Sequence, residues 1–323
     1  MSRRGAETQG FYTSASPRLG VQLFFPMRSL VTWLLVLFAA TNSLFAQTDA
    51  YLFAYFTGNG EDGLHLAYST DGKIWTALNG GKSFLKPTIG NEKLMRDPCI
   101  LPDPDGQTFR MVWTTGWKDK GIGYATSTDL INWSDQRFLP VMQAEPETQN
   151  CWAPEVAWDP ETKKYFILWA STVKGKFPQT EQENANHRIY ATRTTDFQTF
   201  TPAEVYYNRQ FNVIDATMQR DVDRWVMFLK DETNHPFPEQ KNIRVATSDG
   251  PNWPWSAPSA KITGNYWAEG PTALKIGDRW MVYFDKYKEG KMGCVTSTDL
   301  KTWQDVSDTV RFPAGTRHGT AFR

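Results

Sequence analysis

The sequence predicts an all-β fold, a five-bladed β-propeller, and two observations support this prediction. An Asp followed four residues later by Trp or Phe recurs five times after short β-rich segments, at Asp71/Trp75, Asp129/Trp133, Asp196/Phe200, Asp249/Trp253 and Asp299/Trp303. Successive copies lie 50 to 67 residues apart, a period typical of repeat architectures. Each repeat also holds enough short β-rich segments for the four strands of a propeller blade.

The repeat around residues 96–133 shows the strand pattern of one blade. A short apolar strand at 96–101 is followed by the turn-forming residues 103–106 and by a second, aromatic and β-branched strand at 109–115. A third strand is predicted at 121–127, and the Asp129 motif turns into a fourth. The same order predicts first strands at 152–158, 213–217 and 269–274 and second strands at 165–171, 224–229 and 280–285.

The remaining blade is split between the two ends of the chain. Residues 51–56 have the pattern of a second strand with no first strand before it, and residues 317–322 that of a first strand with nothing after it. Pairing of 319–322 with 51–56 completes this last blade. Such pairing closes the ring and removes the open edges that a linear array would expose.

Three segments of the chain are distinguished by composition. Residues 1–26 are polar and are predicted to be unstructured or to precede the true start. Residues 27–46 combine Arg28, an apolar run at 30–40 and a small residue at Ala46, the layout of a secretory signal peptide. A membrane anchor is the alternative, although the apolar run falls short of the about 20 residues that span a bilayer. We therefore expect a periplasmic or secreted protein whose propeller occupies 47–323, without membrane insertion after cleavage.

Charge and cysteine content limit the classes of partner. Lys plus Arg and Asp plus Glu both number 35, and this balance disfavours nucleic acid as a partner. Cys99, Cys151 and Cys294 are too few for a disulfide scaffold or zinc site, although one unspecified pair can form a disulfide. The 14 Trp residues are typical of carbohydrate-handling surfaces, so an oligosaccharide or polysaccharide is the expected partner. The protein itself is expected to be a monomer.

One polar residue near the start of each first strand is a candidate for the propeller axis. These residues are Asp97, Glu155, Asp215, Glu269 and His318. First strands line the channel of a propeller, so the five side chains are expected to meet at one mouth. Four carboxylates placed together repel one another, and such a cost usually persists for chemistry.

The motifs at these positions resemble glycoside hydrolase family 43 over residues 51–322. Asp97-Pro98, Trp152-Ala153-Pro154-Glu155 and Glu269-Gly270-Pro271 occur in the order of that family's motifs. The resemblance implies a five-bladed propeller with Asp97 as general base, Glu269 as general acid and Glu155 as the second acidic residue. In two departures, Glu155 replaces the family's usual Asp and Ala216 replaces the Pro that often follows the residue at Asp215.

Hydrolysis of a glycosidic bond needs one carboxylate that activates water and one carboxylic acid that protonates the leaving oxygen. Asp97 is expected to be ionised, whereas the pKa of Glu269 must be raised by desolvation or by a nearby charge such as Glu155. The two residues lie two blades apart, which favours the spacing of about 6.5–9.5 Å used for inversion. The resemblance implies exo-acting removal of α-L-arabinofuranosyl or β-D-xylosyl units, with a galactan-active hydrolase as the alternative.

Further candidates for substrate contacts surround these acids. Arg96, Asp215 and His318 lie near the expected mouth, and Trp117, Trp152, Trp169 and Trp267 are candidates for stacking on a sugar. The loops at 173–187 and 233–241 are expected to rim the pocket, the second with His235. His318 is also a candidate ligand for a calcium ion at the axis, although no cofactor is required for this chemistry.

Other propeller classes give alternative interpretations of the same repeats. A non-catalytic carbohydrate-binding propeller keeps the Trp residues but does not need all three acids. A fructan-cleaving propeller shares Arg96-Asp97-Pro98 but lacks a match for its other motifs, and sialidase repeats space Asp and Trp five residues apart rather than four. The ordered acids favour a hydrolase over these classes.

Overall fold

The computed structural model describes residues 50–237, 240–252 and 254–323, and it confirms the five-bladed propeller. Blade 1 contains β1 (Tyr51–Tyr55), β2 (His65–Ser69), β3 (Thr76–Ala77) and, from the C-terminus, β19 (Gly319–Phe322). Blade 2 contains β4 (Arg96–Pro102), β5 (Phe109–Thr114), β6 (Ile122–Ser127) and β7 (Arg137–Leu139). Blade 3 contains β8 (Trp152–Asp159), β9 (Lys164–Ser171), β10 (Arg188–Thr194) and β11 (Glu204–Tyr207).

Blades 4 and 5 complete the ring. Blade 4 contains β12 (Val213–Arg220), β13 (Trp225–Asp231) and β14 (Asn242–Ser248), and blade 5 contains β15 (Ala268–Ile276), β16 (Arg279–Lys286), β17 (Lys291–Ser297) and β18 (Gln304–Asp305). Short 3₁₀ turns lie at Asn79–Gly81, Pro178–Thr180, Tyr287–Glu289 and Ser307–Thr309. The innermost strands β19, β4, β8, β12 and β15 contact one another in succession around the axis.

Both chain ends form blade 1, as the sequence predicts. β19 pairs antiparallel with β1, so that Leu52 lies opposite Phe322 and Tyr55 opposite Gly319. Five apolar clusters then fill the five spaces between neighbouring blades. Burial of apolar surface at every interface, including the one on each side of blade 1, therefore stabilises a closed ring.

The recurring Asp residues have a structural role at the exit of the third strand of a blade. Oδ1 of Asp129 accepts hydrogen bonds from the backbone N–H groups of Ile131 and Asn132, at 2.9 and 2.7 Å. Asp71, Asp196 and Asp299 make the same pair of bonds two and three residues on. The motif that identifies the repeats is therefore a turn, far from the axis chemistry.

Blade 4 departs from the expected four strands, because its described residues form only three. The segment after β14 contains Pro251, Pro254 and Pro258, which cannot donate ladder hydrogen bonds. Ser256 and Ser259 still donate to the carbonyls of β14. The outer edge of this blade is thus covered by an irregular segment rather than by a regular strand.

Two expectations from composition have different outcomes. The predicted signal peptide at 27–46 lies outside the described residues and stays a prediction, as does the start of the mature chain. Cys99, Cys151 and Cys294 are buried free thiols, so the three cysteines form no disulfide with one another. Within the described ranges, no helix has the length and apolar character needed to cross a bilayer.

Candidate active site

A β-bulge at the axial end of four inner strands sets the position of each acidic side chain. The strand pairing shifts between Arg96 and Cys99, Trp152 and Glu155, Ile214 and Thr217, and Glu269 and Thr272. In each bulge the second residue has a positive φ, and these residues are Asp97, Ala153, Asp215 and Gly270. Bulges re-aim side chains next to active sites, and here they direct them into the channel.

The bulges show that the four acidic candidates occupy three different levels. Asp97 and Asp215 are themselves the positive-φ residues of their bulges. Glu269 lies one residue before the positive-φ residue of its bulge, and Glu155 lies two residues after that of its own. At position Gly270 a Cβ atom would lie 2.3 Å from the imidazole of His318, so the Glu-Gly-Pro motif needs glycine there. The expectation of five equivalent axial residues is therefore wrong in register, although the side chains do converge.

Glu155 lies deeper in the channel than the other acids. Its Oε2 accepts hydrogen bonds from the thiol of Cys99 and the hydroxyl of Thr217, both at 3.2 Å. Cys99 and Thr217 hold the same position in the bulges of the two neighbouring blades as Glu155 holds in its own. Burial raises the pKa of Glu155 to about 8. The expectation that Glu155 orients Glu269 is therefore wrong, because the bulge register separates their levels.

Asp215 is the carboxyl group that adjoins Glu269. Its Oδ2 accepts a hydrogen bond of 2.9 Å from the backbone N–H of Gly270, the residue next to Glu269. Burial raises the pKa of Asp215 to about 6, with Glu269 and Asp97 as nearby negative charges. Asp215 therefore occupies the place that the sequence argument assigned to Glu155.

Glu269 is held by cations on both of its oxygens. Lys230 Nζ, on β13, lies 2.6 Å from Oε2, which also accepts a 2.9 Å hydrogen bond from the Trp267 indole. His318 Nε2 lies 3.0 Å from Oε1. Burial alone would raise the pKa of Glu269, but Lys230 and His318 outweigh it and hold the pKa well below its usual range. The raised pKa expected for Glu269 from the sequence is therefore wrong.

His318 lies between the two residues expected to act as acid and base. Blade 1 separates blades 5 and 2, so the residue before β19 reaches both. Nδ1 of His318 is 3.2 Å from Oδ1 of Asp97 but forms no aligned hydrogen bond, and Nε2 faces Glu269. Burial would lower the pKa of His318, yet these carboxylates raise it to about 10. The imidazole is therefore charged at neutral pH.

Asp97 is the ionised carboxylate on the opposite side of His318. Its Oδ2 accepts a 2.8 Å hydrogen bond from the hydroxyl of Thr114, which in turn accepts one from the N–H of Ala153. Burial opposes ionisation, but His318 and Arg96 hold the pKa of Asp97 below its usual value. An ionised carboxylate that faces a cavity can accept a proton from water.

A cavity of about 290 Å³ opens above these groups. Besides Asp97, Asp215, Glu269 and His318, its wall includes Arg96, Trp117, Trp152, Lys230, Trp267 and Tyr287. The guanidinium of Arg96 lies 4.3 Å from the ring of Trp117 and donates to the side chain of Asn59 at 2.7 Å. Trp152 and the edge of Trp117 therefore remain as apolar surfaces for a sugar ring. The ring of Trp267 instead lies 4.7–5.2 Å from the ammonium groups of three lysines, Lys230, Lys241 and Lys288.

Two candidate substrate contacts do not line this cavity. Trp169 is only 1% exposed and packs in the apolar cluster between blades 2 and 3, because its position on β9 directs the ring into the core. The prediction that Trp169 stacks on sugar is therefore wrong. His235 is exposed on the 233–241 loop outside the wall of the cavity, and a contact with substrate there stays a prediction.

The residues around His318 do not fit a calcium ion. Glu269, Asp285 and His318 each offer one ligand atom within 4.8 Å of the others. Calcium takes six to eight oxygen ligands, and this set has two carboxylates and a nitrogen. Both carboxylates already bind cations, since Arg317 Nε lies 2.6 Å from Asp285 and Lys230 Nζ 2.6 Å from Glu269.

Lys230 is the main site residue that sequence reasoning missed. The predicted second strand of blade 4 ended at residue 229, but β13 continues to Asp231. Lys230 is 1% exposed, and its ammonium also lies 2.6 Å from Glu232. One signal in the sequence indicates Lys230: it is a lysine at the end of an apolar strand, in the same blade as Asp215 and beside the expected mouth of the channel.

Comparisons with known proteins agree with the propeller fold. Residues 46–322 match the family model described as a probable glycosyl hydrolase domain, which is related to family 43. No curated protein is detectably similar in sequence.

Solved structures show the same fold. A thermostable family-43 glycoside hydrolase has a TM-score of 0.52 and 14% identity, over 69% of this chain and 78% of that chain. An α-L-arabinofuranosidase from Lactobacillus brevis has a TM-score of 0.53 and 18% identity, over 66% and 72%. An exo-β-1,3-galactanase from Clostridium thermocellum has a TM-score of 0.51 and 14% identity, over 68% of this chain and 50% of that chain.

These identities establish similarity of fold, whereas the family model spans almost all of the propeller and the axial acids. Membership in such a family supports O-glycosidase activity on a carbohydrate substrate. The chain therefore belongs to the family of probable glycosyl hydrolases related to glycoside hydrolase family 43.

Proposed function

We propose that this protein is an inverting, exo-acting glycoside hydrolase that removes terminal α-L-arabinofuranosyl or β-D-xylosyl units. The observation that carries the proposal is the placement of Asp97 and Glu269 on opposite sides of His318 at one cavity. One carboxylate activates water, and the other carboxyl group protonates the leaving oxygen. The cavity lies at the small end of ligand sites, which suits one terminal sugar.

The mechanism is a single displacement. Asp97 removes a proton from a water molecule as the oxygen attacks the anomeric carbon, and Glu269 gives a proton to the departing glycosidic oxygen. The two carboxyl groups contact different nitrogens of the His318 ring, an arrangement that favours a separation wider than the about 5–5.5 Å of retaining enzymes. That separation leaves room for the attacking water.

Neighbouring residues prepare the two acids for these roles. Thr114 and His318 keep Asp97 oriented and ionised, which suits a base. Asp215 fixes the backbone at Gly270 and adds negative charge beside Glu269, which favours a proton there when substrate excludes water. Trp152 supplies an apolar surface on the cavity wall.

Activity on defined glycosides, together with two isosteric substitutions, tests the proposal. Release from arabinofuranosyl, xylosyl and galactosyl aryl glycosides identifies the sugar, and a galactosyl preference would support the galactan-active alternative. Asp97→Asn and Glu269→Gln should each lower kcat by about 10³-fold or more, since these groups act as a unit. Glu161→Gln, on an exposed salt bridge with Arg220, is the matched control and should keep full activity. Near-normal turnover by Asp97→Asn would rule out its role as base.

A non-catalytic carbohydrate-binding propeller is the second candidate. The Lys230–Glu269 ion pair favours it, because a carboxyl group held ionised is a poor acid. Calorimetric binding of oligosaccharides without any release of reducing sugar over a broad pH range would support this candidate. Sugar release that is lost in Glu269→Gln would exclude it.

Export of the chain before folding is part of the proposed function. We infer that residues 27–46 are removed and that the mature monomer acts in the periplasm or outside the cell, where polysaccharides are available. N-terminal sequencing of protein from the native host should give a start near Gln47. A cytoplasmic protein that retains Met27 would contradict the inference.

A further inference from the structure

Cations and hydrogen-bond donors surround both carboxyl oxygens of Glu269, the proposed general acid. Lys230 Nζ and the Trp267 indole both donate to Oε2, at 2.6 and 2.9 Å. Oε1 faces His318 Nε2 at 3.0 Å and Arg317 Nη2 at 3.7 Å. Both oxygens therefore face donors, and each donor is a candidate source of a proton for Glu269.

Lys230 is fixed in place and keeps Oε2 occupied. It is 1% exposed, and its ammonium lies 2.6 Å from both Glu269 and Glu232. Glu232 also binds Lys241 at 2.6 Å. Movement of Lys230 would break two buried ion pairs, which is costly. Oε1 is consequently the oxygen available to receive and deliver a proton.

His318 is the donor that can give Oε1 a proton without a change in net charge. Its ring faces Asp97 on β4, Glu269 on β15 and Asp285 on β16, at 3.2, 3.0 and 3.5 Å. Asp285 is in turn neutralised by Arg317 Nε at 2.6 Å. Transfer from Nε2 to Oε1 converts a charged imidazolium and a carboxylate into a neutral imidazole and a carboxylic acid within one hydrogen bond.

We propose that His318 stores the proton that Glu269 delivers to the leaving group, and that Lys230 keeps this proton on the imidazole until substrate is bound. The proposal rests on the proposed role of Glu269 as acid. His318 does not touch the substrate in this scheme and acts through Glu269 as a positioning residue. The general acid is thus the pair of Glu269 and His318, which share one proton, rather than the carboxyl group of Glu269 alone.

The protons balance over one turnover. The Nε2–H bond of His318 breaks as an O–H bond forms on Glu269, and that proton passes to the glycosidic oxygen as the C–O bond breaks. Water gives its hydroxyl to the anomeric carbon and its proton to Asp97. Asp97 then loses this proton to solvent and His318 regains one, which restores the starting state.

The dependence on leaving group tests whether His318 supplies the proton. A 2,4-dinitrophenyl glycoside departs without protonation, whereas the phenyl glycoside of the same sugar needs an acid. Glu269→Gln should lose about 10²-fold or more on the phenyl substrate and less than about 10-fold on the dinitrophenyl substrate. His318→Asn also loses the contact with Asp97, which slows both reactions, but its loss on the phenyl substrate should exceed its loss on the dinitrophenyl substrate by about 10-fold or more. Equal losses on both substrates in His318→Asn would overturn the proposal, because a merely structural role lowers both rates alike.

The two substitutions also separate this proposal from the proposed function. Absence of leaving-group selectivity in Glu269→Gln would show that Glu269 is not the acid, and both proposals would fall. Selectivity in Glu269→Gln without selectivity in His318→Asn would overturn only the role of His318. Lys275→Met, at a half-exposed ion pair with Asp221 on the outer end of β15, serves as the folding and activity control.

Nuclear magnetic resonance of the unsubstituted protein gives a test that does not depend on the folding of a variant. The chain has four histidines, which ¹⁵N labelling makes visible. The imidazolium of His318 should persist at pH 8 in the substrate-free enzyme and become neutral in Glu269→Gln at a lower pH than in the unsubstituted protein. Four neutral histidines at pH 8 would overturn the proposal, because no proton would then be stored on His318.

Discussion

Replacement of Lys230 with Met removes the buried cation between two carboxylates while it keeps a similar side-chain volume. Lys230 is 1% exposed and lies 2.6 Å from Glu232 and from Glu269. Removal of one partner from a buried ion pair costs about 3–5 kcal/mol, because a charge is left without compensation. For a domain of this size, such a loss corresponds to a fall in Tm on the order of 10 °C.

The cost of this substitution should depend on pH in a defined direction. Ion pairing depresses the pKa of Glu269 and Glu232, so their stabilisation is present above the unfolded value of about 4.3 and is lost as pH falls through the folded values. In Lys230→Met, Glu269 keeps only the cations at Oε1, His318 and Arg317, so its pKa rises toward the higher value that burial favours. The difference in stability is therefore largest near neutral pH and shrinks toward pH 4, where Glu269 of the Lys230→Met variant binds a proton and no longer carries a buried charge.

Thermal unfolding at pH 7 and pH 4.5 measures this difference. Lys275→Met breaks a half-exposed ion pair with Asp221 and should cost only about 0–1 kcal/mol at either pH. A Lys230→Met penalty no larger than that of the control would refute the reasoning. A large penalty that is equal at both pH values would show that packing, rather than charge, accounts for it.

The remaining predictions concern the channel, the stacking surfaces and the ring closure. The stability of Glu155→Gln relative to the unsubstituted protein should increase from about pH 5 to pH 8, because the raised pKa of Glu155 makes its ionisation in the folded protein costly as pH rises. A difference in stability that does not depend on pH would contradict this. Trp169→Ala should cost about 3–5 kcal/mol without a change in KM, whereas Trp117→Ala should raise KM with little effect on Tm. Deletion of residues 319–323 should abolish cooperative melting, and an unchanged Tm would disprove closure through β19.

Repetition in the sequence is sufficient to predict the ring. The turn motif at Asp71 and its copies recurs because the third strand of a blade needs the same exit, so its period counts the blades. The split blade follows from an unpaired segment at each end of the chain. Closure by Gly319–Phe322 against Tyr51–Tyr55 was predictable for that reason.

The level of each side chain in the channel was not predictable in the same way. A bulge adds one residue to a strand, and its position depends on the partner strand, which the local sequence does not specify. Asp97 and Asp215 fit a simple alignment, but Glu155 falls two positions beyond the equivalent Ala153. An alignment by residue type therefore assigned Glu155 to the role that the geometry supports for Asp215.

The charge state of Glu269 also depends on a residue from a different blade. The motifs of the sequence indicate neighbouring acids and desolvation, both of which raise the pKa of a carboxyl group. Lys230 is brought against Glu269 by the contact between β13 and β15, and its effect has the opposite sign. Electrostatic balance at a propeller axis is thus a property of neighbouring blades rather than of any one motif.

The configuration of the first sugar released tests the central claim, hydrolysis by single displacement between Asp97 and Glu269. Proton nuclear magnetic resonance during the first minutes of reaction distinguishes the two anomers before they equilibrate. A water molecule activated by Asp97 on the face opposite the leaving group should give the anomer inverted relative to the substrate. First appearance of the anomer with the substrate's own configuration would indicate a covalent intermediate and would contradict the assignment of these two residues.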